Sequence, residues 1–351
     1  MFKYLTPIFL CTAAFSFQAQ ADDTMLMLLK KDNATYLSWS TDAGNLVRQD
    51  VYRSTSNNQA SSEKIAELNS TDRTFTDLTA NPKSDYWYWV DTVSGNNNVL
   101  KSNAAPTNPS LEPAPLRAAS LKAASSECKA GAVIKDKTVD CGGITLGLSC
   151  KGDSDKQPPV ITLENATIKN LRISEKGGSD GIHCKSGNCR IENVIWEDIC
   201  EDAATNNGKT LTIVGGVAHN TTNGPGGKPD KVLQQNAKNS HTIVQGNFTL
   251  TGQHGKLWRS CGDCTNNGGP RNLTIISATV NGTIDSIAGV NRNFGDVAEI
   301  RDLRIKNYKE GKPPVCEEFT GVEKGKGNSP KHGEFWDTKN CKVSRSNVKA
   351  L

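Results

Sequence analysis

Six short pieces in the latter two thirds of the chain repeat one pattern, an apolar, β-branched run centred on isoleucine. They are Ala166–Leu171, Arg190–Val194, Leu211–Val214, His241–Val244, Leu273–Ile276 and Glu299–Leu303. The central isoleucines stand at 168, 191, 213, 243, 275 and 300, with steps of 23, 22, 30, 32 and 25. Asn and Gly fill the turns, and amphipathic helix periods are almost absent. A repeat of this length with variable inserts predicts an all-β parallel β-helix, whose coils stack isoleucine on isoleucine. The longer steps put long loops on one side, where a site could be built. Unequal spacing and few hairpin signals argue against an ordinary sandwich or barrel.

The chain has 351 residues, enough for two domains. Lys3, the apolar run 4–17 and the small-residue end Ala19-Gln20-Ala21 have the three parts of a secretory leader, so residues 1–21 are expected to be removed and the protein exported. Cys11 lies in that run after Phe9-Leu10, which does not fit a lipoprotein cleavage site. No later stretch approaches the roughly 20 apolar residues of a membrane span. Of the 11 cysteines, 10 remain without the leader. An even count in an exported chain predicts structural disulfides, of undetermined connectivity, including the Cys261-Gly-Asp-Cys264 pair. The net charge of +4 is small and evenly mixed, which argues against a nucleic-acid partner. A monomer is expected.

Residues 103–126 are rich in Ala, Pro and Ser and carry no aromatic, as an exposed linker would. Residues 22–102 alternate polar and apolar in short runs between turn residues, which predicts a small β-sandwich. Trp39, the segment Phe75–Leu78 and the strand containing Tyr86, Tyr88 and Val90 resemble a fibronectin type III domain. A carbohydrate-binding module is the competing sandwich. Trp87 and Trp89 share the opposite face from Tyr86 and Tyr88, and either pack on a neighbouring strand or present themselves to a sugar.

Residues 127–351 form the helical domain, and its chemistry is concentrated between Gly178 and Thr205. Asp180, Glu201 and Asp202 gather carboxylates, with Glu197 and Asp198 one short step before the pair, a grouping best tolerated around a hard cation such as Ca²⁺. Lys231, Lys256 and Arg259 answer them one and two coils later. Stacked coils lie about 4.8 Å apart, so acids and bases twenty to thirty residues apart become neighbours across a groove. Such a site suits a polyanion bristling with carboxylates.

Residues 128–351 resemble the pectate lyases of polysaccharide lyase family 3. The resemblance rests on Ser179–Cys184, Trp196–Ala203, Asp230–Val232, Gly255–Cys264 and the Gly289–Asp296 segment, in that order. It implies a right-handed parallel β-helix, Ca²⁺-dependent β-elimination and a polygalacturonate substrate. It further implies Asp180, Glu201 and Asp202 as calcium ligands, and Lys231, Lys256 and Arg259 as the basic catalytic and substrate-binding set. Glu164 matches another acidic position near the family's groove, although Asn165 follows it where the family often has Asp.

Elimination removes the C5 proton, which is acidic only when the adjacent carboxylate is neutralised, and the base must be neutral at working pH. A lysine pushed down by two neighbouring cations meets that need better than an arginine. Lys231 is therefore the expected base and Arg259 the alternative. Two other readings compete. A β-helix polygalacturonase is imitated by Asp180-Gly181, Glu201-Asp202, His254-Gly255 and Arg304-Ile305-Lys306, and inverting hydrolysis would need carboxyls about 6.5–9.5 Å apart. A non-catalytic pectin-binding β-helix would not need this charge cluster. His183 is expected to be a buried, hydrogen-bonded residue.

Overall fold

The structure is a computed structural model that describes residues 24–111, 124–152, 154, 156–221 and 223–351. The expected leader and residues 112–123 of the expected linker lie outside the described residues.

From Ala132 onward the chain winds into one sheet system of 21 strands, parallel except where Cys316–Phe319 meets Lys331–Glu334. Three buried ladders hold the coils together. The first runs Val139, Ile168, Ile191, Ile213, Val244, Ile275 and Ile300 in direct register. The second runs Ile161, Ile182, Ala204, Leu233, Trp258, Ala288 and Cys316. The third runs Ile173, Trp196, Ala218, Leu250, Val280 and Ile305. All of these side chains are buried, and each covers its neighbours above and below. This makes stability a nearest-neighbour property of the stack. The repeat read from sequence is the first ladder with one correction. Val244, not Ile243, faces the core, because the outward Ile243 stands in register with Thr212 and Thr274.

Between the first and third ladders the coils turn on residues in the left-handed region: Asn170 (φ 58°), Asn193 (φ 50°), Gly216 (φ 90°) and Asn247 (φ 58°). Asn and Gly tolerate that conformation where other residues are strained.

The N-terminal strands are β1 (Thr24–Lys31), β2 (Ala34–Thr41), β3 (Leu46–Ser54), β4 (Glu63–Asn69), β5 (Thr74–Asp77), β6 (Trp87–Ser94), β7 (Val99–Lys101) and β8 (Ala105–Pro106). They form antiparallel sheets β1-β2-β5 and β4-β3-β6-β7, with β8 added to β6. This is a fibronectin type III-like sandwich around Leu26, Leu37, Trp39, Val51, Tyr88 and Val90. Trp87 and Trp89 are 5% and 4% exposed, so they do not present an aromatic sugar platform. The first residues of the expected linker belong to the sandwich: Ala105 pairs with Tyr88, and Asn103 exchanges hydrogen bonds with the backbone of Leu26.

The second face of the β1-β2 sheet is also buried. Met25, Met27, Leu29, Ala34 and Tyr36 form one apolar cluster with Ile195 and Val217 of the helix. Around it the sandwich docks along the column of left-handed turns. Ser40 Oγ donates to Asn170 Oδ1 (2.7 Å), Ser38 Oγ to Asn193 Oδ1 (2.6 Å), and the Gly216 amide to Ser38 Oγ (3.0 Å). Thr251 Oγ1 and Asn281 Nδ2 donate to the Tyr36 hydroxyl, and Lys31–Glu175 and Lys169–Asp42 ion pairs close the rim.

All ten cysteines outside the expected leader are paired, as 128–141, 150–200, 184–189, 261–264 and 316–341. The Cys200 bridge anchors the coil segment that carries Glu201 and Asp202.

Candidate active site

The second ladder builds the site. Its core residues Ile182, Ala204, Leu233 and Trp258 stand in register on four successive coils. Two positions before each comes, in order, Asp180, Asp202, Lys231 and Lys256. One position after each comes His183, Thr205, Gln234 and Arg259. Two acids followed by two lysines thus form one column, and the repeat brings them together without any special loop.

Asp180, Glu201 and Asp202 are all buried, and one carboxylate oxygen from each lies within 4.8 Å of the others. Burial first, and then mutual repulsion, pushes the carboxyls of Glu201 and Asp202 above their ordinary range, with Lys231 only partly offsetting this. Asp180 Oδ1 and Asp202 Oδ1 have no hydrogen-bond partner. Buried anionic oxygens left without donors are costly, and three together make a set of hard donors that fits a metal ion. His183 Nε2 stands 3.0 Å from Asp180 Oδ2, so His183 faces the acid trio rather than serving the core.

Lys231 Nζ is 3.9 Å from Asp202 Oδ1 and is also paired with Asp230. Burial opposes its charge, but the two carboxylates outweigh burial and raise its pKa. The sequence argument expected two neighbouring cations to lower it. The nearer charges are carboxylates, because the column places Asp202 one coil before Lys231 and Asp230 is its chain neighbour.

Lys256 Nζ instead approaches the buried Glu317, at 3.8 Å, which Lys331 pairs on its other side at 2.9 Å. Arg259 is held by acceptors on several sides. Its Nη1 donates to Gly289 O (3.2 Å) and Asn291 Oδ1 (3.1 Å), its Nη2 donates to Ser329 Oγ (3.1 Å), and the guanidinium lies 4.1 Å over the Phe319 ring. A Cβ at position 289 would come 2.7 Å from Arg259 Cδ, so glycine there makes room for this packing. Asp296 braces the arrangement from behind by accepting from the Asn291 and Arg271 amides. Burial pushes the Arg259 guanidinium down to about 10.

A groove of about 730 Å³ opens over this surface, lined in part by Asp180, Glu201, Asp202, Lys231, Asp263 and Lys324. Glu164 is not brought to it, and pairs with Lys185 at 2.8 Å. Sequence reasoning missed Asp230, Glu317 and the groove walls at 261–265 and 324. The Asp230-Lys231-Val232 motif contained the first, whereas Glu317 and Lys324 reach the site only through the C-terminal coil. The hydrolase imitation fails on geometry. His254 is fully buried and donates to, or accepts near, no groove group; its Nε2 meets Thr251 O at 2.8 Å, and burial lowers it to about 4. The acid trio is also tighter than an inverting pair requires.

A parallel β-helix with buried acids stacked against lysines along an open groove defines an enzyme acting on an acidic polysaccharide. The chain belongs to the pectate lyase family, whose pattern matches residues 117–326. It is 93% identical to the crystal structure of pectate lyase Pel3 from Pectobacterium carotovorum, covering 94% of this chain and 100% of that one, with a TM-score of 0.89. It is 62% identical to pectate lyase PelI from Erwinia chrysanthemi in complex with tetragalacturonic acid, with the same coverage and a TM-score of 0.84. The probable pectate lyase E of Neosartorya fischeri is 35% identical over 199 residues, 52% of this chain and 70% of that protein. The protein is accordingly a polysaccharide lyase.

Proposed function

We propose that the exported protein cleaves polygalacturonate by Ca²⁺-dependent β-elimination, releasing unsaturated oligogalacturonates. The observation that carries this reading is the Asp180–Asp202–Lys231–Lys256 column, with its partnerless carboxylate oxygens beside a lysine. The tetragalacturonic acid bound by the related PelI supports the substrate class.

Asp180, Glu201 and Asp202 would hold the ion. Oxygen donors favour Ca²⁺, and a coordination number of 6–8 leaves room for substrate carboxylates and water. When bound, Ca²⁺ supplies the positive charge that neutralises a uronate carboxylate and so acidifies the adjacent C5 proton. Lys231, the lysine nearest the trio, would take the C5 proton once a cation on the trio offsets the Asp202 charge that otherwise holds the ammonium protonated. The C5–H electrons form the C4–C5 double bond, and O4 leaves and is protonated by solvent. Lys256 and Arg259 bind carboxylates and stabilise the developing enolate. Arg259 stays the alternative base, since burial lowers its guanidinium to about 10, although acceptors at Gly289, Asn291 and Ser329 and the Phe319 ring hold it in place as a cation.

Incubation with polygalacturonate, with and without chelator, tests the reading. Growth of ultraviolet absorbance from the enoate, abolished by chelator, is expected. Reducing ends released without that absorbance would support hydrolysis instead.

A further inference from the structure

Two loops stitched together carry Cys261, Asp263, Cys264, Thr265 and Lys324 into the lining of the groove that holds the acid trio. Val322 N donates to Gly262 O (2.8 Å), Lys324 N to Cys264 O (3.1 Å), and Asn267 Nδ2 to Val322 O (2.7 Å). The carboxylate of Glu323 accepts the amides of Asn266 (2.6 Å) and Asn267 (2.8 Å). The Cys261–Cys264 disulfide closes the first loop, and both of its cysteines line the groove. Five hydrogen bonds and a disulfide are a large investment of order in a surface rim.

That order has one visible consequence at the groove. Glu323 is turned into the neighbouring loop, whereas the next side chain, Lys324, lines the same groove as Asp180, Asp202 and Lys231. Among the described residues, Lys324 forms no ion pair and no side-chain hydrogen bond. Lys231 and Lys256, by contrast, are each within 4.0 Å of a carboxylate. An unpaired ammonium on an ordered backbone, in the lining of a groove that also holds Lys231, is arranged to meet an anion supplied from outside.

We infer that Lys324 is a substrate-binding and specificity-determining residue, which takes a galacturonate carboxylate from the stitched loops that line the groove. The inference rests on the pectate reading of the groove. It also gives the Cys261-Gly-Asp-Cys264 bridge a purpose: the bridge keeps the platform under Lys324 in place. Lys324 is not part of the acid and lysine column, so its charge is assigned to binding and not to the chemical step.

Steady-state kinetics of the full-length protein on polygalacturonate tests this. Lys324→Ala is expected to raise KM about fivefold with kcat within about twofold, the size of one exposed, oriented charge pair. Lys324→Glu should raise KM further, Lys324→Arg should restore it, and the differences should shrink with added salt or on highly methyl-esterified substrate. Unchanged KM in both Lys324→Ala and Lys324→Glu would overturn the inference. So would a parallel fall in kcat and Tm that Lys324→Arg fails to restore, since that pattern marks a structural role. If the wild-type protein yields no unsaturated product, the elimination reading fails by itself. Calorimetric binding of trigalacturonate to wild type and Lys324→Glu then still decides the role of Lys324, with equal affinities counting against it.

Discussion

Lys231 and Lys256 stand in direct register on adjacent coils, but each ammonium turns to a different carboxylate, Asp202 for the first and Glu317 for the second. The column therefore divides its work. Lys231 belongs to the acid trio, and Lys256 belongs to the C-terminal coil and its Phe319–Arg259 stack.

Replacing the two basic residues separates their roles. Lys231→Ala should lower kcat by about 10²–10⁴, the usual loss of a general base, while Ca²⁺ binding measured by calorimetry stays close to wild type. Arg259→Ala removes a packed guanidinium from beneath Ser329 and over Phe319, so both turnover and Tm should fall. Near-normal turnover in Lys231→Ala together with an inactive but fully stable Arg259→Ala would move the base to Arg259.

The trio makes an opposite-signed prediction for stability with and without metal. Glu201 and Asp202 are buried and repel each other, so the metal-free fold is under strain that Asp202→Asn relieves. Without Ca²⁺ the variant should melt at or above the wild-type temperature. With Ca²⁺ in excess the wild type should gain stability by binding linkage, and the variant should gain much less. Equal calcium-induced shifts in thermal melts of the two proteins would exclude Asp202 as a ligand.

Asp198 offers a pH test away from the chemistry. Burial raises its carboxyl from 3.8 to about 6, despite the Thr221 amide that donates to Oδ1 at 2.6 Å. Between those values the folded protein keeps a proton that the unfolded chain has lost. Stability therefore falls as pH rises through that window, and the deficit persists above it. Asp198→Asn keeps an acceptor for Thr221 and removes the charge. Its Tm should exceed that of the wild type by a few degrees above pH 6 and converge with it near pH 4. A constant difference at all pH values would show that Asp198 is not the titrating group.

The β-helix was legible in sequence because stacking forces each coil to repeat its inward residue, so Ile168, Ile191, Ile213, Ile275 and Ile300 had to recur. Ile243 misled because Val244 beside it is equally apolar, and period-two reading cannot tell which of two adjacent β-branched residues points inward. The acid and base columns were legible as motifs, but the surroundings that set their charge were not. Glu317 and Lys324 become neighbours of the column only through coil register and the C-terminal loop. The docking of the sandwich was hidden for another reason. Ser38 and Ser40 alternate with apolar residues as solvent-facing positions do, and Asn170 and Asn193 sit at turns after charged residues, yet here they hydrogen-bond one another across an interface. The unbroken run Met25–Leu29 was the available signal, since a strand buried on both faces loses its alternation.

That interface changes what cutting the chain between the two units should do. The helix does not cover all of its own apolar surface: Ile195 and Val217 are covered by Met25, Met27, Leu29 and Tyr36. The Tyr36 hydroxyl also satisfies Thr251 and Asn281 on two neighbouring coils. Protein cleaved between Leu111 and Ala124 should therefore elute as one species in size-exclusion chromatography at micromolar concentration, with turnover retained. Tyr36→Phe leaves two buried donors without their acceptor, at a cost of about 1–3 kcal/mol. It should lower Tm in the intact chain and let the cleaved halves separate on dilution. If the cleaved wild-type halves part at once, the apolar cluster and its hydrogen bonds are too weak to hold the units. Catalytic activity of the helical piece alone on soluble polygalacturonate would then show that the site column needs no support from the sandwich.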